Sequence, residues 1–338
     1  MKLILHIGPH KTGSSSIQAC LTAARETLLD QGALYFAAPP LPALSLSTYY
    51  ADAQLRDMPG DRRHFRTHAE VMKWTTDAWA DLETSVASSP ARVCILSSEQ
   101  FASLPGERVA EMIGRLRGMF SDIKVVAYAR DPVSLYLSGL QQNIQGGWRL
   151  KAIRTPRTFT YLLPRQVMKY GACVGTEALV VRNFTRSHLV GGDVVTDFLN
   201  VVSGFGHDLT VPLRSANEAI CGAAVAWLLT VNETWDRGPL GAERLRVLNR
   251  LRRSEALADL PRLKLEDPLL VGALCRGVRR DVDWINDTFL KDAPLALSET
   301  PPARLPEDRH LRERIRDWIM SYLTTDAMEK IARASLQV

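Results

Sequence analysis

Cysteine is scarce and unpatterned in this chain. Five occur in 338 residues, Cys20, Cys94, Cys173, Cys221 and Cys275. They are far apart, odd in number and include no CxxC pair, so neither a disulfide framework nor a cysteine-based zinc or redox motif is expected. No His, Cys and carboxylate set stands at ligand spacing either, and no metal is expected. Long apolar runs are missing: the strongest, Ala219 to Val231, falls short of the roughly 20 residues that span a bilayer. An apolar run begins already at Leu3, leaving no room for the charged n-region, apolar h-region and cleavage site of a leader. The expectation is a cytoplasmic protein without a membrane span, in which the sequon-like triplets at Asn183, Asn232 and Asn286 are chance matches. Repeats, low-complexity tracts and long polar linkers are also lacking. A single domain over 1–338 is therefore expected, with a ligand-binding α/β core over 1–215 and a helical part over 216–338. A net charge of +5 and a pI near 9.0 suit anionic ligands without demanding any, and nucleic acid is not an expected partner.

What is present is concentrated in Leu3 to Gln18. The apolar run Leu3-Ile4-Leu5-His6-Ile7 reads as a buried parallel strand, and glycines, a lysine and hydroxyls follow it at once in Gly8-Pro9-His10-Lys11-Thr12-Gly13-Ser14-Ser15-Ser16. Ile17, Leu21, Ala24 and Leu28 then recur at helical spacing. The loop therefore ends at a helix N-terminus, where unpaired N–H groups and the macrodipole attract anions. This is the pattern of a phosphate cradle. A nucleoside-triphosphate loop reads G-x-x-x-x-G-K-[ST]. Here Gly8 and Gly13 keep that spacing, but Ser14 follows the second glycine and the lysine lies inside the loop, at Lys11.

Further along, Gly32 to Phe36, Arg92 to Leu96, Ile123 to Ala129 and Ala178 to Arg182 read as strands. Val71, Trp74, Ala78 and Leu82 mark a helix between them, as do Val109, Met112, Ile113, Leu116, Met119 and Phe120, and Val194 to Val202. Alternating strands and helices imply crossover units, hence an α/β fold with a P-loop-like central parallel sheet flanked by helices. Beyond about Asn217 the pattern is mostly helical. Two stretches read as irregular: Pro39 to Arg63, a candidate lid, and the basic Gly146 to Arg165. Ligands of such sheets gather beyond the carboxyl ends of the strands, where Gly8 to Ser16, Ser97-Ser98-Glu99 and Arg130-Asp131 all fall.

The string His6-Ile7-Gly8-Pro9-His10-Lys11-Thr12-Gly13-Ser14-Ser15-Ser16-Ile17-Gln18 resembles the 5'-phosphosulfate-binding loop of the sulfotransferases that use 3'-phosphoadenosine 5'-phosphosulfate (PAPS). Arg130, at a strand end, and Ser138, eight residues later in the next helix, resemble that family's 3'-phosphate site. Ser97-Ser98-Glu99 looks like its bacterial members. The resemblance implies PAPS as co-substrate, 3',5'-adenosine bisphosphate as product, and a carbohydrate or small-molecule hydroxyl as acceptor. Lys11, Thr12, Gly13, Ser14, Ser15, Arg130 and Ser138 would hold the donor. Lys11 would also act on the leaving phosphate, with Glu99 as base and His10 as its rival. A guanidinium fork chelates phosphate oxygens, and a cation where charge grows on bond breaking lowers the barrier. Plainer readings remain at each position: a cap for Glu99, an ion pair with Asp131 for Arg130, a solvated helix serine for Ser138, and packing for His6. The family's vertebrate glycine-rich donor loop has no counterpart here. The alternatives are a P-loop kinase using ATP, and a non-catalytic nucleotide- or nucleic-acid-binding protein on the same fold.

Overall fold

The computed structural model describes residues 1–39, 41–51, 65–213, 220–234, 241–297 and 306–336, the side chains of 241–245 and 336 excepted. Its centre is β1 (Lys2–His6), in which Leu3, Ile4 and Leu5 are sealed on both faces. A strand apolar on both faces needs cover on both, which a sheet clad in helices provides. β1 pairs in parallel with β3 (Val93–Ser97) on one side and β4 (Asp122–Ala129) on the other; β2 (Ala33–Tyr35) lies outside β3, and β5 (Leu179–Asn183) outside β4. The result is a five-stranded parallel sheet in the order β2-β3-β1-β4-β5. In chain order the helices are α1 (Ser14–Ala23), α2 (Arg25–Asp30), α3 (Leu44–Tyr50), α4 (His68–Ser88), α5 (Gly106–Arg117), α6 (Pro132–Gln145), α7 (Leu163–Val174) and α8 (Val194–Ser203). Then come α9 (Gly222–Thr234), α10 (Gly241–Arg253), α11 (Pro268–Phe289), α12 (Asp308–Met320) and α13 (Thr325–Leu336).

By its internal contacts the chain divides into two compact units. The first comprises Met1–Arg130, Leu162–Ala216 and Asp283–Leu295, and contains the sheet. Its core joins Ile4, Ile17, Leu21, Ile95, Val126 and Phe198. A polar strut crosses it: the fully buried Asp197 of α8 accepts hydrogen bonds from the Tyr128 hydroxyl (2.9 Å), the Arg182 Nε (3.1 Å) and Nη2 (2.5 Å), and the Val190 N–H (3.0 Å). A carboxylate out of water is tolerable because every one of these donors faces it. The second unit comprises Asp131–Tyr161, Asn217–Val282 and Ala296–Val338. It packs Leu140, Ile144, Leu228, Leu274, Leu311, Ile315 and Ile331 into a helical core.

The expected strands are all present, and the pattern beyond Asn217 is helical as read. Two stretches differ. Part of the expected irregular segment Pro39 to Arg63 is the helix α3, while 52–64 lie outside the described residues. Six of its seven residues are buried, so no polar face betrays its period. The basic segment does not stay irregular to Arg165, because α7 starts at Leu163 with a proline in its first turn, a position that proline favours. The three sequon-like asparagines use their side-chain amides internally. Asn183 donates to Ala293 and Pro294, Asn232 to Ile144 and Trp148, and Asn286 to Leu295, all at backbone carbonyls. Among the described residues no helix is long and apolar enough to cross a membrane.

Candidate functional site

The site grows from the carboxyl ends of β1, β3 and β4. After β1, Gly8, Lys11 and Gly13 take left-handed backbone conformations at φ 46°, 65° and 80°, and Thr12 closes the turn by donating its hydroxyl to the Pro9 carbonyl. A loop with repeated left-handed residues turns backbone N–H groups toward a common concavity that suits an anion. Glycine is required at both ends. A Cβ on Gly8 would lie 2.8 Å from Ser14 Oγ and 3.4 Å from Glu99 Cα, and one on Gly13 would lie 2.9 Å from both the Phe184 ring and Val194. Gly13 also caps α1 through its backbone alone. Its carbonyl accepts from Ser16 and Ile17 N–H at 2.9 and 3.1 Å, while the first N–H groups of the helix have no intrahelical partner.

Side by side with this loop stands the end of β3. The register pairs His6 with Ser97, and Ser98 N–H donates to the His6 carbonyl at 3.2 Å. Below the surface His6 Nδ1 lies 2.8 Å from Ser97 Oγ, and Gln18 Nε2 donates to Ser97 Oγ at 3.2 Å. His6 is fully buried, and burial lowers its pKa to about 3. It is a packed, neutral residue, as its place in the strand implied. This fastening brings His10 and Glu99 together across 89 positions of sequence, with Nδ1 and Oε2 at 3.2 Å. The hydrogen bond to Glu99 raises the His10 pKa, and the Glu99 charge adds to the effect; burial and the Lys11 charge oppose it. Ser98 is held by Ser47 of α3 at 3.3 Å, so the unexpected helix supports the turn that carries Glu99.

β4 supplies the third component. Arg130 Nη1 donates to the Lys11 carbonyl at 2.7 Å, and its guanidinium lies 5.6 Å from the centre of the Phe184 ring. Asp131 caps α6, accepting from Val133 and Ser134 N–H at 3.1 and 3.0 Å. The fold thus gathers His10, Lys11, Thr12, Gly13, Ser14, Ser15, Glu99 and Arg130 within the first unit. Ser138 belongs to the second, on α6.

Ser14 tests whether this set fits a phosphorylated ligand. Its hydroxyl is buried, 1% exposed, and has no hydrogen-bond partner among the described residues. A buried hydroxyl without a partner is costly, and one at a helix start suits a phosphate oxygen. The donors present therefore fit. Among the described residues no group of three His, Cys or carboxylate side chains is placed to hold a metal ion. Phe184 and the His6–Ser97–Gln18 fastening escaped the sequence reading. Gln18 lies in the quoted string, whereas Phe184 is marked only by following a strand.

No family model matches the chain, and no curated protein matches it. Among solved structures it is similar to the crystal structure of a sulfotransferase from Alicyclobacillus acidocaldarius, at 17% identity and a TM-score of 0.39, over 68% of this chain and 91% of that one. At that score the similarity assigns the chain to no family, and the functional reading rests on the loop, the two cations and the paired imidazole and carboxylate.

Proposed function

We propose that the chain is a sulfotransferase that takes the sulfuryl group of PAPS to a hydroxyl of a carbohydrate or small-molecule acceptor. The observation that carries this reading is the anion loop itself: the Arg130 guanidinium is bonded to the Lys11 backbone carbonyl at 2.7 Å, and the loop ends at a helix start where the Ser14 hydroxyl is buried without a partner among the described residues. When bound, the donor supplies an activated sulfuryl group whose departure leaves a phosphate oxygen with growing negative charge. The α1 N–H groups and the Ser14 and Ser15 hydroxyls hold the 5'-phosphate. Thr12, whose hydroxyl is committed to Pro9, contributes its backbone. Lys11 stabilises the charge that grows on the leaving oxygen. The Arg130 fork has donors enough to keep the Lys11 carbonyl and take the 3'-phosphate as well; the Ser138 contact expected there rests on the family resemblance alone.

Glu99 accepts the acceptor's proton at its carboxylate. His10 orients that carboxylate through the 3.2 Å contact and is the second candidate for the proton. Position of the lysine inside the loop, before the second glycine, favours this chemistry over ATP-dependent phosphoryl transfer.

Calorimetric titration with 3',5'-adenosine bisphosphate tests the reading. Binding is expected without added metal, and Lys11→Ala should weaken it by about tenfold or more, the loss of one charge-assisted contact. Absence of binding to the wild-type protein, or magnesium-dependent ATP turnover in its place, would overturn it.

A further inference from the structure

Phe184 is the first residue beyond β5, and its N–H donates to the Ala129 carbonyl at 2.8 Å. The β4–β5 ladder thus runs one step past the strand and seats Phe184 against the residue that precedes Arg130. Its backbone is held from both sides. Asn183 is buried with its amide on two carbonyls, and its Oδ1 accepts the Thr185 N–H at 2.8 Å. The backbone that carries the ring is therefore held in place. One edge fills the space where a Gly13 side chain would begin, at 2.9 Å, and the ring meets Tyr128 edge-on at 6.2 Å. The Arg130 guanidinium lies 5.6 Å from its centre. Arg130 in turn donates to the carbonyl of Lys11, a side-chain-bearing residue at φ 65°, a conformation that such residues rarely adopt.

These contacts form a chain from a rigid strand end, through a cation, to the strained lysine. We propose that Phe184 is a positioning residue: acting through Arg130, it keeps Lys11 in its left-handed conformation and so couples the two ends of the donor site. The inference rests on the donor reading above. It makes Arg130 serve the loop as well as any 3'-phosphate. A nucleotide that lacks the 3'-phosphate must then still depend on Arg130 and on the ring beside it.

The test is a double-mutant cycle read by calorimetry with two probes, 3',5'-adenosine bisphosphate and adenosine 5'-monophosphate. Phe184→Leu is expected to weaken both by roughly 3- to 30-fold, the scale of one cation–ring contact. Phe184→Tyr should restore binding to within about twofold, since it keeps the ring face. In an Arg130→Ala background Phe184→Leu should add little, which a general loosening of the fold would not reproduce. If Leu fails to fold, Phe184→Met takes its place in the cycle. Losses that add fully in the double variant, or an effect confined to the bisphosphate, would overturn the inference while leaving the donor reading intact. If the wild-type protein binds neither nucleotide, the donor reading falls, and this inference with it.

Discussion

Replacing Ser14 by alanine should strengthen the fold and weaken ligand binding, because one hydroxyl acts with opposite sign on the two. Ser14 is 1% exposed, and its oxygen has no partner among the described residues. Burying an unpaired hydroxyl costs about 1–3 kcal/mol. The residue stands at the first position of α1, whose cap is the Gly13 backbone with no side-chain bond, so its removal forfeits no capping interaction. Alanine is also the better helix former by a few tenths of a kcal/mol. Urea unfolding of the ligand-free Ser14→Ala protein, followed by circular dichroism, should therefore show a gain of about 1–2 kcal/mol with an unchanged slope. Binding runs the other way. A hydrogen bond to a charged phosphate contributes about 1.5–3 kcal/mol, so the dissociation constant for 3',5'-adenosine bisphosphate should rise by roughly 10- to 150-fold. A variant less stable than the wild type, or one that binds the bisphosphate as tightly, would refute the assignment of this hydroxyl to the anion.

Two further outcomes follow from the buried polar groups of the first unit. His6, with its pKa lowered by burial to about 3, titrates near 6.5 when unfolded. Its contribution to stability is complete above that value and is lost as pH falls toward 3, at about 1.4 kcal/mol per pH unit. His6→Asn should flatten this acid dependence in urea midpoints measured between pH 7 and pH 4.5, and an unchanged slope would show that other groups cause it. Asp197→Ala strands the Arg182 guanidinium and the Tyr128 hydroxyl, and should cost about 3–5 kcal/mol in the same assay. A loss under about 1 kcal/mol would mean that the strut is replaced by water at little cost.

The strands and the anion loop were legible because their signals are local: apolar runs four to eight residues long and a glycine-bounded string. α3 was not. Its sequence, Leu-Ser-Leu-Ser-Thr-Tyr-Tyr, is buried on nearly every side, and Ser47 turns its hydroxyl back onto the Leu44 carbonyl. Polar and apolar residues therefore fail to separate into faces. The start of α7 had a readable signal in Pro164, but the arginines around it obscured the stripe of Leu163, Val167 and Tyr170. At the site, each of His10, Glu99 and Arg130 could be picked out from its place after a strand. Their pairing could not, since it depends on strand order, and nothing in the local sequence says that β3 and β4 flank β1. Phe184 was invisible for the same reason: its meaning comes from Gly13, Tyr128 and Arg130, which reach it from two other strand ends.

The His6–Ser97 register has a consequence for durability. In a parallel sheet sealed on both faces, a shift of one residue between neighbours would carry every side chain of the moving strand to the opposite face and undo close packing on both. The spacing between the imidazole and the carboxylate is thus inherited from the ladder at the centre of the sheet. Surrounding loops can change in length and sequence while that distance stays where the innermost strands put it.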